Sequence, residues 1–169
     1  STNDRRVSDD YAVAVSATMS AGKSTLLNAM IGQEMLPSRN EACTATVFKI
    51  RDNDSLSSFN ARFYTEADNW SNWYNNICIE TLTDWNNEIP VQIEMEGNLP
   101  EIKNLRDNKK VVFIDTPGPN NAANANHAKI TEAILAETHF STLIFVLNAS
   151  TNGVNDEWKL LSHLQKIIS

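Results

Sequence analysis

Ala17-Thr18-Met19-Ser20-Ala21-Gly22-Lys23-Ser24 is the stretch whose residue types and spacing most clearly carry chemistry. It fits the phosphate-binding pattern GxxxxGK[ST] at every position but the first, where Ala17 replaces glycine. In such a loop the backbone N–H groups from Thr18, Met19, Ser20 and Ala21 through Gly22, Lys23, Ser24 and Thr25 can point at phosphate oxygens. A helix starting at the end of the loop adds the favourable end of its dipole. Gly22 allows close backbone approach, Lys23 would bridge β- and γ-phosphates as a point charge, and the Ser24 hydroxyl would coordinate Mg²⁺. The plain alternative is a chance Gly-Lys-Ser at a helix start; the order of strand, loop and helix around it weighs against chance.

A second motif bears on the class of nucleotide. Asp115-Thr116-Pro117-Gly118 matches DxxG: an Asp at a strand end can hold Mg²⁺ through water, and the Gly118 amide can sense a γ-phosphate. An ATPase strand would more often end in Asp-Glu, so Thr116 favours a GTPase-type switch over an ATPase. Pro-Gly alone would be an ordinary turn. Thr44, in Glu41-Ala42-Cys43-Thr44-Ala45-Thr46, is the third element. A loop there could bring its hydroxyl to Mg²⁺ and its carbonyl to an attacking water when a γ-phosphate is present. Thr46 competes for this role, and Thr44 is favoured.

Several elements must position these groups. Tyr11 to Val15 is a short apolar run that reads as a buried strand, and Leu26, Leu27, Met30 and Ile31 recur at helical spacing before Gly32 and Pro37. Thr44 to Ile50 predicts a second strand, with Phe59 to Tyr64 pairing back on it. From Asp68 to Ile89, Trp70, Trp73, Tyr74, Ile77, Leu82, Trp85 and Ile89 recur at three- and four-residue steps. This predicts one amphipathic helix, or two with a break near Thr81 to Thr83, whose aromatic stripe is its buried face. Val91 to Glu96 alternates as a strand with one wet face would. Val111 to Ile114 and Thr142 to Leu147 read as central strands buried on two faces. Helices are predicted over Ala125 to Thr138 and after Asn155 or Asp156. An α/β fold follows, with helices on both faces of a mostly parallel central sheet.

Composition agrees with one soluble domain. The chain has 169 residues, 41% hydrophobic and 21% charged, with a net charge of −7. No apolar run approaches the roughly 18 residues a membrane span needs. The acidic balance and scattered lysines disfavour nucleic acid and provide no polybasic patch for anionic lipid. Cys43 and Cys78 have no CxxC spacing, which fits a reducing compartment and two small core side chains. His127, His139 and His163 share no metal-ligand spacing, no nucleophile motif supports Ser-His-Asp catalysis, and Glu94 and Glu96 read as the wet side of a strand.

Val15-Ser16-Ala17-Thr18-Met19-Ser20-Ala21-Gly22-Lys23-Ser24-Thr25-Leu26-Leu27-Asn28-Ala29-Met30-Ile31-Gly32, with Leu36-Pro37-Ser38, Cys43-Thr44-Ala45 and Asp115-Thr116-Pro117-Gly118-Pro119-Asn120, resembles the bacterial dynamin-like GTPases. The resemblance implies a P-loop NTPase three-layer sandwich that hydrolyses GTP to GDP and phosphate with Mg²⁺. It also implies self-association across the nucleotide face and, in a full-length protein, membrane remodelling. By position, Lys23 and Ser24 bind phosphate and Mg²⁺, Thr44 is the first-switch threonine, and Asp115 and Gly118 form the second switch. Ser20 would lie where the dynamin family contacts a charge-compensating monovalent cation. On this reading residues 1–10 are a polar lead-in and 11–169 a partial GTPase domain with an insertion at 55–105. The location is cytoplasmic, with peripheral membrane association added only through parts outside this chain.

The chain departs from the family pattern in three places. Met19 stands where eukaryotic dynamins place a water-orienting Gln, and Pro119 stands where small signalling GTPases place theirs. Slow basal turnover, supported by backbone groups, Thr44, metal ions and a partner domain, is expected. The guanine-reading [NT]KxD segment is absent, so the expectation is a domain truncated before the guanine-specificity strand, weak or inactive in isolation. The competing class is a nucleotide-gated or catalytically dead scaffold, favoured by Met19 and Ala17.

Overall fold

Apolar runs of five to seven residues flanked by turn formers are too short for stable helices, and they become the strands of one sheet. The computed structural model describes residues 10–17, 22–36, 46–67, 69–87, 90–105, 109–115 and 141–146, with single helical positions at Lys129, Ala133, Ala136, Ser162 and Gln165. Its elements are β1 (Tyr11–Ala17), α1 (Lys23–Ile31), β2 (Val47–Asp52), β3 (Asn60–Thr65), β4 (Asn69–Trp70), α2 (Ile79–Asn87), β5 (Gln92–Gly97), a 3₁₀ helix (Pro100–Leu105), β6 (Val111–Asp115) and β7 (Thr142–Val146). The seven strands lie in the order β4-β3-β5-β2-β6-β1-β7. Pairing is parallel for β1 with β6 and β7 and for β2 with β5, and antiparallel for β2 with β6 and for β3 with β4 and β5. The sheet is therefore mixed, and its parallel part holds the phosphate-loop strand.

Alternation along the central strands divides the core. Val13 and Val15 of β1 and Val111 and Phe113 of β6 join Leu27 and Ile31 of α1, Phe48 and Ile50 of β2, and Leu82 and Trp85 of α2 in one large cluster. Ala12, Val112 and Ile114 face the other way, with Val47. Each fully buried aliphatic or aromatic side chain here contributes roughly 1.5–3 kcal/mol. Gly97, ending β5, packs so closely on Phe59 that an added Cβ would lie 2.4 Å from the ring. Lys129, Ala133 and Ala136, all exposed, share one face of the helix predicted over Ala125 to Thr138. The residues expected to cap the last helix lie outside the described residues.

Four expectations need correction. The strand predicted over Phe59 to Tyr64 is β3, but it does not pair with β2: β5 lies between them and takes both edges. Its pairing is non-local, and adjacency in sequence misleads. Among its described residues the aromatic segment is helical from Ile79 to Asn87 and not before. Before that, Asn69 and Asn76 adopt positive φ (62° and 56°), a conformation asparagine tolerates and a helix cannot continue through. The chain there forms β4 and a bridge from Tyr74 to Ala61, leaving Trp70, Trp73 and Tyr74 exposed while Ile77, Leu82 and Trp85 are buried. Cys78 is a free, exposed cysteine at the start of α2 rather than a core side chain; Cys43 lies outside the described residues. Finally, β7 is half-buried, because in the described sheet it has β1 on one side and no strand on the other.

Candidate functional site

β1 and β6 run parallel with Val15 opposite Asp115, so the chain leaving β1 and the carboxylate ending β6 meet at the same end of the sheet. Open α/β sheets bind ligands outside the carboxyl ends of their parallel strands. Gly22 caps α1 in the left-handed region, φ 83° and ψ 21°, with open space where a Cβ would stand. A side chain there would be strained and would project into the volume in front of the helix. The first intrahelical bond of α1 runs from Leu26 N–H to Gly22 O at 2.9 Å. The N–H groups of Lys23, Ser24 and Thr25 precede it, no side chain caps the helix, and its first turn carries no acidic residue. A nine-residue helix thus directs its positive end toward the turn at Gly22, an arrangement that suits an anion.

Lys23 stands on the first turn of α1 and its Nζ donates to Asp115 Oδ1, forming an ion pair across 92 residues of sequence. The lysine side chain is 14% exposed and that of Asp115 is wholly buried. Alternation in β6 puts Asp115 on the same face as Val111 and Phe113, the face that α1 covers. Ser24 is half-buried beside Lys23, and Thr25 is exposed. Of the predicted site residues the structure joins Lys23 to Asp115, with Gly22 and Ser24 flanking Lys23 at the start of α1. Thr18, Met19, Ser20, Ala21, Thr44 and Gly118 lie outside the described residues.

Thr46, the competitor of Thr44, is buried and donates from its hydroxyl to the carbonyl of Pro90 at 2.6 Å. That bond ties the start of β2 to the chain entering β5. Sequence reasoning quoted Asn28 but gave it no role. Its Oδ1 accepts from the N–H groups of Met35 (3.0 Å) and Leu36 (2.7 Å), and its Nδ2 donates to the Leu36 carbonyl at 3.0 Å. Asn28 lies one turn after Ser24, so the helix that carries the predicted phosphate residues also fixes the chain that leaves it past Gly32. A polar residue one position after Leu27 and two before Met30, within the apolar part of the helix, was the available signal.

Among the described residues no group of three or more His, Cys, Asp or Glu could form a metal cage. The oxygen donors at hand are the Asp115 carboxylate and the Ser24 hydroxyl, a hard pair. This suits Mg²⁺, which uses one or two carboxylates, waters and substrate phosphates rather than an all-protein cage. No described helix is long and apolar enough to cross a membrane.

A family model described as the dynamin family matches residues 13–167. Two solved structures of an oligomerised bacterial dynamin pair, described as a mechanism for the long-range sensing and tethering of membranes, share the fold. One is 19% identical with a TM-score of 0.65, covering 91% of this chain and 30% of that one. The other is 18% identical with a TM-score of 0.62, covering 91% of this chain and 25% of that one. This chain therefore spans less than a third of the length of either. No curated protein matches it in sequence.

Proposed function

The chain belongs to the dynamin family, and from that premise we propose that it binds guanine nucleotide and hydrolyses GTP to GDP and phosphate with Mg²⁺. The observation carrying this reading is the meeting of the uncapped α1 N-terminus and Lys23 with the buried Asp115 at the end of β6. Gly22 leaves room for a phosphate, the first-turn N–H groups and Lys23 bind it, and Ser24 and, through water, Asp115 would hold the metal. When bound, Mg²⁺ neutralises charge that develops on the phosphate oxygens. Thr18 to Ala21 complete the loop, Ser20 contacts a monovalent cation, and Thr44 and Gly118 serve as the two switch residues. Residues 55–105 form an insertion between the switches, and residues 1–10 a polar lead-in. Self-association across the nucleotide face and membrane remodelling belong to the full-length protein, cytoplasmic and peripheral to its membrane. What supports these last roles is family membership and the assembly ascribed to the matched dynamin pair.

The test is titration calorimetry of GDP, GTP and ATP with Mg²⁺ on the full-length protein beside Lys23→Ala. Guanine nucleotides bind, ATP binds at least about tenfold more weakly, and Lys23→Ala abolishes binding. Absence of any nucleotide binding would sink the reading. It would also leave the scaffold alternative that Met19 and Ala17 favour, since neither supplies the group usual at its position.

A further inference from the structure

Thr44, the first-switch threonine of the reading on which this inference rests, belongs to residues 37–45. A side chain fixes the chain on either side of that segment. On the departing side, Asn28 Oδ1 accepts from the N–H groups of Met35 and Leu36, and Asn28 Nδ2 donates to the Leu36 carbonyl. Met35 and Leu36 are themselves buried in the core. On the returning side, Thr46 is wholly buried and its hydroxyl donates to the Pro90 carbonyl at 2.6 Å. We infer that Asn28 and Thr46 are positioning residues for GTP hydrolysis: together they set where Thr44 stands relative to phosphate and metal, acting through the chain between them rather than on a ligand.

Each anchor belongs to one half of the site. Asn28 stands one turn along α1 from Ser24, so residues 35 and 36 are held to the helix that carries Lys23 and Ser24. Thr46 stands two residues before Phe48, which lies opposite Asp115 in the pairing of β2 with β6, so the returning chain is held to the strand beside Asp115. Its hydroxyl carries the fastening of β2 to β5 one residue beyond the backbone bond from Val47 N–H to the Val91 carbonyl at 3.1 Å. Covalent reach then ties Thr44 to this anchor, because two residues of chain span at most about 7 Å. The demand for accurate placement is high in this chain, since Met19 and Pro119 stand where other GTPases put a water-orienting Gln. More of the orientation of the attacking water therefore falls to the Thr44 carbonyl, and a misplacement of about 1 Å can cost about a hundredfold in rate.

The test is GTP hydrolysis by the full-length protein with Mg²⁺, beside calorimetric GDP binding and melting curves, for wild type, Asn28→Ala, Thr46→Val and Thr46→Ser. Each variant is assayed at a temperature where its melting curve shows it folded. Asn28→Ala and Thr46→Val each lower kcat about tenfold, while KM for GTP and Kd for GDP stay within about twofold of wild type, because the groups that bind phosphate are unaltered. Thr46→Ser keeps the hydroxyl and recovers most of kcat. A lowered melting temperature with wild-type kcat would assign both residues to stability alone, and a parallel loss of kcat and GDP affinity would assign them to the phosphate helix; either overturns the inference. So does a Thr46→Ser variant as slow as Thr46→Val. If Asn28→Ala does not fold, Asn28→Asp takes its place, keeping the oxygen that accepts from Met35 and Leu36 and losing the donation to Leu36. If Thr46→Val does not fold, Thr46→Cys, a weaker donor, takes its place. An intermediate kcat in these variants supports the inference and an unchanged one overturns it. Wild-type protein that hydrolyses no GTP overturns the functional reading and this inference with it. An active wild type with equally active variants overturns the inference alone.

Discussion

Two of the ion pairs among the described residues stand in very different surroundings. Lys23 and Asp115 sit at the ligand end of the sheet with side chains 14% and 0% exposed, and they join elements 92 residues apart. Arg62 and Glu94 face each other on the adjacent strands β3 and β5 with side chains 30% and 24% exposed. Arg62 Nε and Nη2 both donate to Glu94 Oε2, at 2.8 and 2.6 Å, and the guanidinium lies 4.3 Å from the Trp70 ring and 4.9 Å from that of Trp73. The arginine is held by geometry that a planar fork satisfies well: an edge on a carboxylate and a stack against indoles. It is suited to fastening the β4 ribbon to the sheet. The lysine is a point charge in a site with an uncapped helix end and open space before Gly22. A cation committed by a planar fork is bound to one geometry; an ammonium can turn from one oxygen to another.

The difference has a direct test in stability. Lys23→Met removes the ion pair of a wholly buried carboxylate and costs about 3–5 kcal/mol in chemical denaturation. If the cost is below that of Arg62→Ala, the contrast between the two pairs is lost. Arg62→Ala removes a half-exposed ion pair and its indole contacts and costs about 1–2 kcal/mol. It also alters tryptophan fluorescence, because Trp70 and Trp73 lose their charged neighbour. Arg62→Lys keeps the charge and recovers less than half of that loss, which separates stacking from simple attraction.

The smallest effect belongs to the start of α2. There the exposed Glu80 titrates below the ordinary glutamate range, chiefly because the Cys78 side chain hydrogen-bonds it and also because its own backbone does. A carboxylate whose folded pKa is depressed adds stability that is complete above the ordinary range and disappears as pH falls through the folded value. Cys78→Ala raises the Glu80 pKa toward its usual value and flattens this slight acid dependence, as carboxyl chemical shifts followed against pH would report. A Glu80 titration unaltered by Cys78→Ala would remove the thiol from the account.

The phosphate region was legible in the sequence because its parts are contiguous. A strand, a Gly-Lys-Ser turn and an amphipathic helix fall within Tyr11 to Gly32, and Val111 to Asp115 announces a buried strand by composition alone. Their joining in the Lys23–Asp115 pair was not legible, since it depends on β1 and β6 lying side by side. The aromatic edge was misread for a complementary reason. Trp70, Trp73 and Tyr74 recur at helical steps, yet Asn69 and Asn76 turn the backbone by conformations that spacing does not register. The bonds from Asn28 to residues 35 and 36 were equally hidden, because they depend on how the chain turns back after Gly32. The Thr46 hydroxyl donates to the Pro90 carbonyl, whereas Thr44 lies outside the described residues and its switch role stands as proposed.

The strand order has a temporal side. β1 is made first but pairs with β6 and β7, Tyr11 lying opposite Val111 and Val13 opposite Thr142. On a ribosome adding about 5–20 residues per second, β1 waits several seconds or more for its neighbours. During that interval Lys23 has no Asp115 and Val13 and Val15 have no flanking strands, so apolar surface and open strand edges are exposed together. Among the described strands, the end of the sheet where β1 meets β6 is thus among the later parts to assemble, and until then its open edges suit chaperones that shield unfinished sheets.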